Sequence, residues 1–168
     1  STVYGIVQIH HGWIGVQSTP GVGTTFSIRL PLGMLDATAR EAVHPVEHGH
    51  GLILVVEDED LVREFTTDAL AHFGYRTVTA RDGDEAVALF RERHADLAGV
   101  VLDLKMPVKS GREAFEEMRA IDDRVPVLIC SGYADNEEAQ ALITLGAKGL
   151  LAKPFRMAAL AEQLAKFT

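Results

Sequence analysis

The amino-acid sequence predicts an α/β domain built on a doubly wound parallel sheet of five strands. From Leu52 onward, short apolar runs typical of buried strands alternate with longer segments whose apolar residues recur at helical spacing. Capping and turn residues separate the two kinds of segment. Because this alternation gives five strands and five helices, we expect parallel strands joined by right-handed crossovers.

The first strand and the first helix of this domain follow directly from the apolar pattern. The run Leu52–Val56 is entirely apolar, as in a strand that is buried on both faces. Next comes a segment with apolar residues at helical spacing, and Gly74 marks its end. The apolar residues of this helix are Leu61, Val62, Phe65, Ala69, Leu70 and Phe73. We expect the second strand at Tyr75–Ala80.

Two later helices begin with capping signals. Asp82 is followed three residues later by Glu85, and Ser110 by Glu113. At this spacing the first side chain accepts from a free backbone N–H, and the glutamate side chain reaches back to another. Both pairs precede apolar residues at helical spacing, so both predict helix starts.

The remaining strands are also short apolar runs. They lie at Val100–Leu102, Val125–Cys130 and Gly149–Ala152. The helix between the last two strands is expected to end near Gly146. Pro154 is expected at the first position of the final helix, where a missing N–H costs nothing.

The amino-terminal part follows a different pattern. Val3, Ile6 and Val7 suggest the end of a helix, and Trp13–Gln17 and Thr25–Leu30 predict two strands of a hairpin. A helix end plus one hairpin is too small to be stable alone. The segment 33–51 has weak periodicity and is expected to be a linker. We therefore divide the chain into an amino-terminal segment at 1–32, a linker at 33–51 and a complete domain at 52–168.

Composition excludes several classes of partner. The net charge of −8 argues against binding to nucleic acid or to an anionic membrane surface. No apolar run is long enough to cross a bilayer, so we expect no membrane contact by this segment. The single cysteine, Cys130, lies within an apolar strand, which is typical of core packing in a reducing compartment. A cytoplasmic location is therefore expected.

Polar residues follow the ends of four apolar runs. Glu57 and Asp58 come after the first strand, Asp103 after the third, Ser131 after the fourth and Lys153 after the fifth. In an open parallel sheet the carboxyl ends of the strands form the edge at which ligands bind. We therefore expect these five side chains to share one pocket.

Three carboxylates in one pocket require a counter-charge. Two unit charges ~4 Å apart repel by about 4 kcal/mol at an effective dielectric constant of ~20. Magnesium suits such a site because it takes oxygen ligands and is usually bound by one or two carboxylates plus a phosphate oxygen. An aspartate can also act as the nucleophile in phosphoryl transfer. The sequence thus predicts Mg²⁺-dependent transfer of a phosphoryl group to Asp103, with Lys153 and Ser131 contacting its oxygens.

Each of these residues taken alone also has an ordinary structural interpretation. Glu57 and Asp58 suit a helix amino terminus, and Asp103 suits a turn. Ser131 is a common turn residue, and Lys153 could be a solvated surface charge. Their order and their shared position at strand ends favour the functional interpretation.

The same residues carry a resemblance to a known family. The stretches LILVVEDED, VVLDLKMPVKSG, Ser131-Gly132 and LLAKPF resemble the receiver domain of two-component signalling, over essentially all of Gly51–Thr168. The resemblance implies a flavodoxin-like fold with strand order 2-1-3-4-5. It also implies a cis peptide bond between Lys153 and Pro154. One departure is Leu150, where receivers commonly carry an aromatic residue, and Tyr133 beside Ser131 is a candidate substitute.

The resemblance assigns a role to each site residue. Asp103 is then the phosphoacceptor, Glu57 and Asp58 are the acidic pair that binds Mg²⁺, and Lys105 lends a backbone carbonyl to the metal. The hydroxyl and ammonium roles are those of Ser131 and Lys153, and such a domain catalyses its own phosphorylation and dephosphorylation. Its partner is a phosphohistidine donor, either a histidine kinase domain or a histidine phosphotransfer protein.

The amino-terminal segment carries a second resemblance. The sequence STVYGIVQIHHGWIGVQSTPGVGTTFSIRLP is similar to the closing portion of the ATP-binding domain of histidine kinases, in the order found in hybrid sensor kinases. The upstream ATP-binding motifs and the phosphorylatable histidine have no counterpart here. We therefore expect that this chain does not phosphorylate itself from ATP.

Two alternatives remain open at this point. One is a magnesium phosphohydrolase with an aspartyl nucleophile, of the haloacid dehalogenase type. Such enzymes carry a second aspartate two residues after the nucleophile, and here that position is Lys105. The other is a pseudo-receiver that regulates without phosphorylation, which the intact acidic trio, Ser131 and Lys153 argue against.

Overall fold

The computed structural model describes residues 12–31, 49–132 and 137–167, together with Val3 and Val7. The chain divides into two compact units, Ser1–Ala42 and Val43–Thr168. Most of the expected linker, residues 33–48, lies outside the described residues. None of the helices in the described part of the chain has the length and apolar character that crossing a membrane requires.

The amino-terminal unit contains the expected hairpin. Strand β1 (Trp13–Thr19) pairs antiparallel with β2 (Gly23–Arg29), and the strands are longer and the turn shorter than the sequence pattern indicated. The register places Ile14 opposite Ile28 and Val16 opposite Phe26. Because side chains alternate along a strand, these four apolar residues share one face of the hairpin.

The second unit contains the five-stranded parallel sheet. Its strands are β3 (Leu52–Val56), β4 (Arg76–Ala80), β5 (Leu97–Asp103), β6 (Val127–Ser131) and β7 (Gly149–Ala152). The spatial order is β4-β3-β5-β6-β7, so the expected order 2-1-3-4-5 is confirmed. The crossover from β4 to β5 places β3 beside β5, with Val56 opposite Leu102. The residues that follow these two strands therefore emerge side by side.

Helices cover both faces of this sheet. They are α1 (Asp60–His72), α2 (Gly83–Arg93), α3 (Gly111–Ile121), α4 (Glu137–Thr144) and α5 (Met157–Leu164). One buried cluster joins the sheet to α2, α3 and α4 and includes Phe90 and Phe115. The other joins it to α1 and α5 and includes Leu70 and Leu160. Burial on both faces explains why the inner strands β3, β5 and β6 are largely apolar.

The helix caps follow the sequence signals in part. Ser110 forms a complete capping box, in which its hydroxyl accepts from the N–H of Glu113 and the Glu113 carboxylate accepts from the N–H of Ser110. Asp82 accepts from the N–H of Glu85 at 2.9 Å, but the Glu85 carboxylate accepts from the N–H of Arg81 instead. Only half of the first box is therefore formed.

The expected start of the final helix at Pro154 is wrong. Helix α5 begins at Met157, because Arg156 is its N-cap and has an extended backbone. The peptide bond between Lys153 and Pro154 is cis, as expected. Phe155 lies between Pro154 and Arg156, and the centroid of its ring is 6.0 Å from that of Phe65 on α1.

The buried stripe of α1 also differs from the apolar pattern. Leu61 is 74% exposed and Phe65 is 43% exposed, although both fit the helical spacing. The buried side of the helix instead includes Arg63 and Thr66, in line with Leu70. Polar residues at 63 and 66 therefore lie on the side of the helix that faces the sheet.

We expect the Cys130 thiol to be unreactive in the folded protein. Cys130 is buried on β6, and burial raises the pKa of its thiol to about 12, so almost no thiolate is available at neutral pH. A disulfide reagent at pH 8 should label one thiol per chain in guanidinium chloride and label the native protein only as fast as it unfolds. Complete labelling of the native protein within minutes would contradict this placement.

Candidate functional site

The two central strands bring the acidic residues together. Glu57 directly follows β3, and its N–H donates to the carbonyl of Ala80 at 3.1 Å. Asp103 is the last residue of β5 and pairs with Cys130 of β6. One carboxylate oxygen from each of Glu57, Asp58 and Asp103 lies within 4.8 Å of the others. Glu57 and Asp103 are 5% and 6% exposed, whereas Asp58 is exposed.

Lys153 bridges the two buried carboxylates. Its Nζ lies 2.5 Å from Oε2 of Glu57 and 2.8 Å from Oδ2 of Asp103. Burial opposes the charge on this ammonium, but its hydrogen bonds to Asp103 and Glu57 outweigh burial and raise the pKa of Lys153. Burial raises the pKa of Glu57, and the hydrogen bond from Lys153 offsets this only in part. The charge of each partner therefore depends on the other.

The donor set fits a small divalent cation. With all groups ionised, three carboxylates and one ammonium leave two uncompensated negative charges, which one divalent ion can balance. Mg²⁺ takes oxygen ligands, and Glu57, Asp58 and Asp103 would each offer it one carboxylate oxygen.

The other expected site residues lie at the same edge of the sheet. Ser131 is the last residue of β6 and is fully buried, and its carbonyl accepts from the N–H of Lys153 at 2.7 Å. Lys105 lies two residues beyond Asp103 in the loop to α3, and its side chain is exposed. Tyr133, a candidate substitute for the missing aromatic, lies outside the described residues.

The loop after Asp103 is attached to two helices. The Nζ of Lys109 lies 2.8 Å from Oδ1 of Asp84 on α2 and 2.6 Å from Oε1 of Glu117 on α3. The preceding residue, Val108, has a φ of 68°, which is unusual for a β-branched side chain. The ion pairs of Lys109 hold the end of a loop that contains this uncommon backbone conformation.

The sequence pattern did not identify Arg63, which contacts the acidic pair. Its Nη1 donates to the carbonyl of Glu57 at 2.8 Å, and Arg63 as a whole is only 9% exposed. One signal for it was present in the sequence. Arg63 is three and seven residues before Thr66 and Leu70, so a charged residue stands on the buried stripe of α1.

We expect Lys153→Met to destabilise the metal-free protein by about 3 kcal/mol, because it leaves two buried carboxylates facing each other. Urea unfolding in the presence of EDTA measures this loss, and adding Asp103→Asn to the variant should restore part of it. Lys166→Met is the matched control, since Lys166 is exposed and bonds only to Gln163 among the described contacts. Equal stabilities for the two lysine variants would contradict the bridging role.

Comparison with known proteins identifies the family. The sequence matches the family described as the response regulator receiver domain over residues 53–165. The chain belongs to this family. The five-stranded sheet is thus the sheet of a receiver domain of two-component systems.

Relatives and solved structures agree with this assignment. The sensor kinase CckA of Brucella abortus is 33% identical over 171 residues, which cover 96% of this chain and 18% of that protein. The receiver domain of a Pseudomonas aeruginosa sensor histidine kinase, with magnesium coordinated in its active site cleft, superposes with a TM-score of 0.64 and 28% identity; the match covers 71% of this chain and 98% of that one. The response regulator TrrA of Thermotoga maritima, in complex with Mg(2+)-BeF, superposes with a TM-score of 0.61 and 30% identity. That match covers 70% of this chain and 99% of the TrrA chain.

These comparisons establish the chemistry of the family. Phosphorylation on an aspartate with magnesium in an acidic pocket is typical of receiver domains, and those of hybrid kinases interact with kinase or phosphotransfer partners. The acidic cluster of this chain supports the same use of magnesium. At the position where receivers commonly carry an aromatic, Leu150 is partly buried and packs against the core shared with α2, α3 and α4.

Proposed function

We propose that Asp103 is the phosphoacceptor of this receiver domain and takes a phosphoryl group from a phosphohistidine in a Mg²⁺-dependent reaction. The observation that carries this proposal is the convergence of Glu57, Asp58 and Asp103 within 4.8 Å, with the Lys153 ammonium bonded to two of them. Buried carboxylates held this close are costly unless a cation and a transferable anion use them.

The metal site is assigned to four residues. Glu57, Asp58 and Asp103 offer carboxylate oxygens, and Lys105 offers its backbone carbonyl. When bound, Mg²⁺ supplies positive charge that neutralises the phosphoryl oxygens and the carboxylates that face them. All of these ligands are oxygens, which Mg²⁺ prefers. Because Asp58 is exposed, solvent reaches this side of the site, which suits an ion that retains several waters.

The transfer step uses the side chains already in contact. A carboxylate oxygen of Asp103 attacks the phosphorus, and the bond from phosphorus to the donor imidazole nitrogen breaks. The departing nitrogen keeps the electron pair and takes a proton from solvent water. The product is an acyl phosphate on Asp103. Lys153 exchanges one of its carboxylate contacts for a phosphoryl oxygen, and the Ser131 hydroxyl donates to another. Later attack by water on phosphorus returns the carboxylate.

The organisation of the chain is part of the proposal. We assign residues 1–32 to the end of a histidine-kinase ATP-binding domain, 33–51 to a linker and 52–168 to the receiver. The hairpin in the first unit and an alignment to a sensor kinase over 96% of the chain support this assignment. The donor is then a histidine kinase domain or a histidine phosphotransfer protein.

A small acyl phosphate donor tests the proposal without a partner protein. The chain is incubated with acetyl phosphate in the presence of Mg²⁺ or of EDTA, and intact mass spectrometry counts the added phosphoryl groups. We expect one group, added only with Mg²⁺. Labelling that is equal in EDTA would contradict the metal site. Absence of labelling at saturating Mg²⁺ would contradict the phosphoacceptor assignment and favour the pseudo-receiver.

The same protein tests the phosphohydrolase alternative. A hydrolase would turn over a small phosphate ester such as p-nitrophenyl phosphate many times per chain. A receiver is expected to accept a single phosphoryl group from an acyl phosphate and to leave the ester unchanged. Sustained release of nitrophenol that depends on Asp103 would replace the receiver proposal with the hydrolase.

A further inference from the structure

We infer that Arg63 is a positioning residue for the magnesium ligands, which it holds through the backbone of the acidic pair. The inference rests on the proposed function, because it concerns the same pocket. Arg63 lies in the first turns of α1, directly after the segment that carries Glu57 and Asp58. Its guanidinium is buried on the side of the helix that faces the sheet.

Arg63 contacts every residue from Glu57 to Asp60. Nη1 donates to the carbonyl of Glu57 at 2.8 Å and also reaches the carbonyl of Asp58 at 3.4 Å. Nη2 bonds to the carboxylate of Asp60, and the Arg63 N–H donates to the carbonyl of Glu59 at 2.9 Å. One planar group thus fixes the turn from which two of the three candidate carboxylate ligands project.

The acceptors of these bonds show that Arg63 does more than supply positive charge to the acidic pair. The guanidinium bonds to the carbonyl oxygens of Glu57 and Asp58 and to neither of their carboxylates. A lysine could not reproduce these bonds, because guanidinium presents its donors in a fixed plane and an ammonium is a point charge. The Glu57 carbonyl is buried with Arg63, so removal of the guanidinium leaves an acceptor that needs a new partner.

Electrostatics and positioning predict opposite outcomes when Arg63 is removed. If Arg63 acted only through its charge, it would repel Mg²⁺, and a neutral residue would tighten metal binding. If it positions the ligands, a neutral residue of similar length loosens the turn and weakens metal binding. The sign of the change in Mg²⁺ affinity therefore decides between the two roles.

The test is a titration of the complete chain with MgCl₂, followed by the amide NMR shifts of the acidic pocket. For Arg63→Met we expect the Kd for Mg²⁺ to rise by about tenfold, as is usual when a group that orients metal ligands is lost. Arg63→Lys keeps the charge and should give a smaller rise. The matched control is Arg112→Met on α3, where the exposed arginine pairs with Glu116 at 3.0 Å, and its Kd should stay within about twofold of wild type.

An unchanged or tighter Kd in Arg63→Met would overturn the inference. If that variant does not fold, Arg63→Lys decides, because a role through charge alone predicts the wild-type Kd and positioning predicts a weaker one. Labelling by acetyl phosphate separates this inference from the proposed function. Wild-type protein that is never labelled refutes the phosphoacceptor assignment, whereas labelled wild type with the same Mg²⁺ dependence in both Arg63 variants refutes only the positioning role.

Discussion

Asp103→Asn is expected to reduce phosphoryl labelling from acetyl phosphate to below about 1% of wild type, because the amide oxygen is a poor nucleophile and a removed nucleophile is rarely replaced. The substitution keeps the size of the side chain at a buried strand end, so the fold should persist. Intact mass after incubation with Mg²⁺ measures the labelling, and cooperative urea unfolding confirms the fold.

The control for this variant is Asp68→Asn on α1. Asp68 is an exposed aspartate outside the pocket, so its amide variant should be labelled like wild type. Asp58→Asn should require more Mg²⁺ for half-maximal labelling and still reach one phosphoryl group per chain. Labelling of Asp103→Asn at the level of the Asp68 control would show that another residue accepts the phosphoryl group.

Gly111→Ala is expected to lower the free energy of unfolding by about 3 kcal/mol, as overpacking of a tight site does. Gly111 is the first residue of α3, and its N–H donates to the carbonyl of Leu104 at 3.0 Å. A Cβ here would lie 2.0 Å from the carbonyl oxygen of Asp103 and 2.7 Å from Cα of Leu104. Both are backbone atoms, so the phosphoacceptor itself has to move, and labelling should fall together with stability.

Gly132→Ala is the matched control for this substitution. Among the residues that the structure describes, none lies within 4 Å of a Cβ placed on Gly132, so the stability of Gly132→Ala should stay within about 0.5 kcal/mol of wild type. Urea unfolding of the two variants and of wild type under the same conditions gives the comparison. Equal stabilities for Gly111→Ala and Gly132→Ala would contradict the close approach of α3 to the end of β5.

The strands of the sheet were predictable from local patterns, and the pocket was predictable once the family resemblance supplied the strand order. A run such as Leu52–Val56 has to be buried on both faces, which places it inside a parallel sheet. Once the strand order is 2-1-3-4-5, the residues after β3 and β5 emerge as neighbours. Glu57 and Asp103 therefore converge by topology, and Lys153 reaches them from the end of β7.

Other features depend on tertiary contacts that periodicity does not contain. Leu61 and Phe65 fit the apolar spacing of α1 but face outward, because the sheet covers the side that carries Arg63. Helix spacing identifies a stripe but does not decide which edge of it is covered. The ion pairs of Lys109 could not be predicted from sequence spacing, because its partners Asp84 and Glu117 lie on two separate helices.

The start of the last helix shows a similar limit. Pro154 suits the first turn of a helix by its fixed φ, and that property alone predicted a helix beginning there. The chain instead uses residues 153–156 to leave β7, with Lys153 directed into the pocket and Phe155 against Phe65. A contact between distant residues decided the boundary, and local propensity did not.

The most direct test of the account is chemical mapping of the phosphorylated residue. Borohydride reduces an acyl phosphate to an alcohol, so phosphorylated Asp103 would become homoserine and release phosphate. Wild-type protein is labelled with acetyl phosphate and Mg²⁺, reduced, digested and sequenced by mass spectrometry. We predict homoserine at position 103, with Glu57 and Asp58 unchanged. Homoserine at position 58, or phosphate that survives reduction on Ser131, would contradict the account.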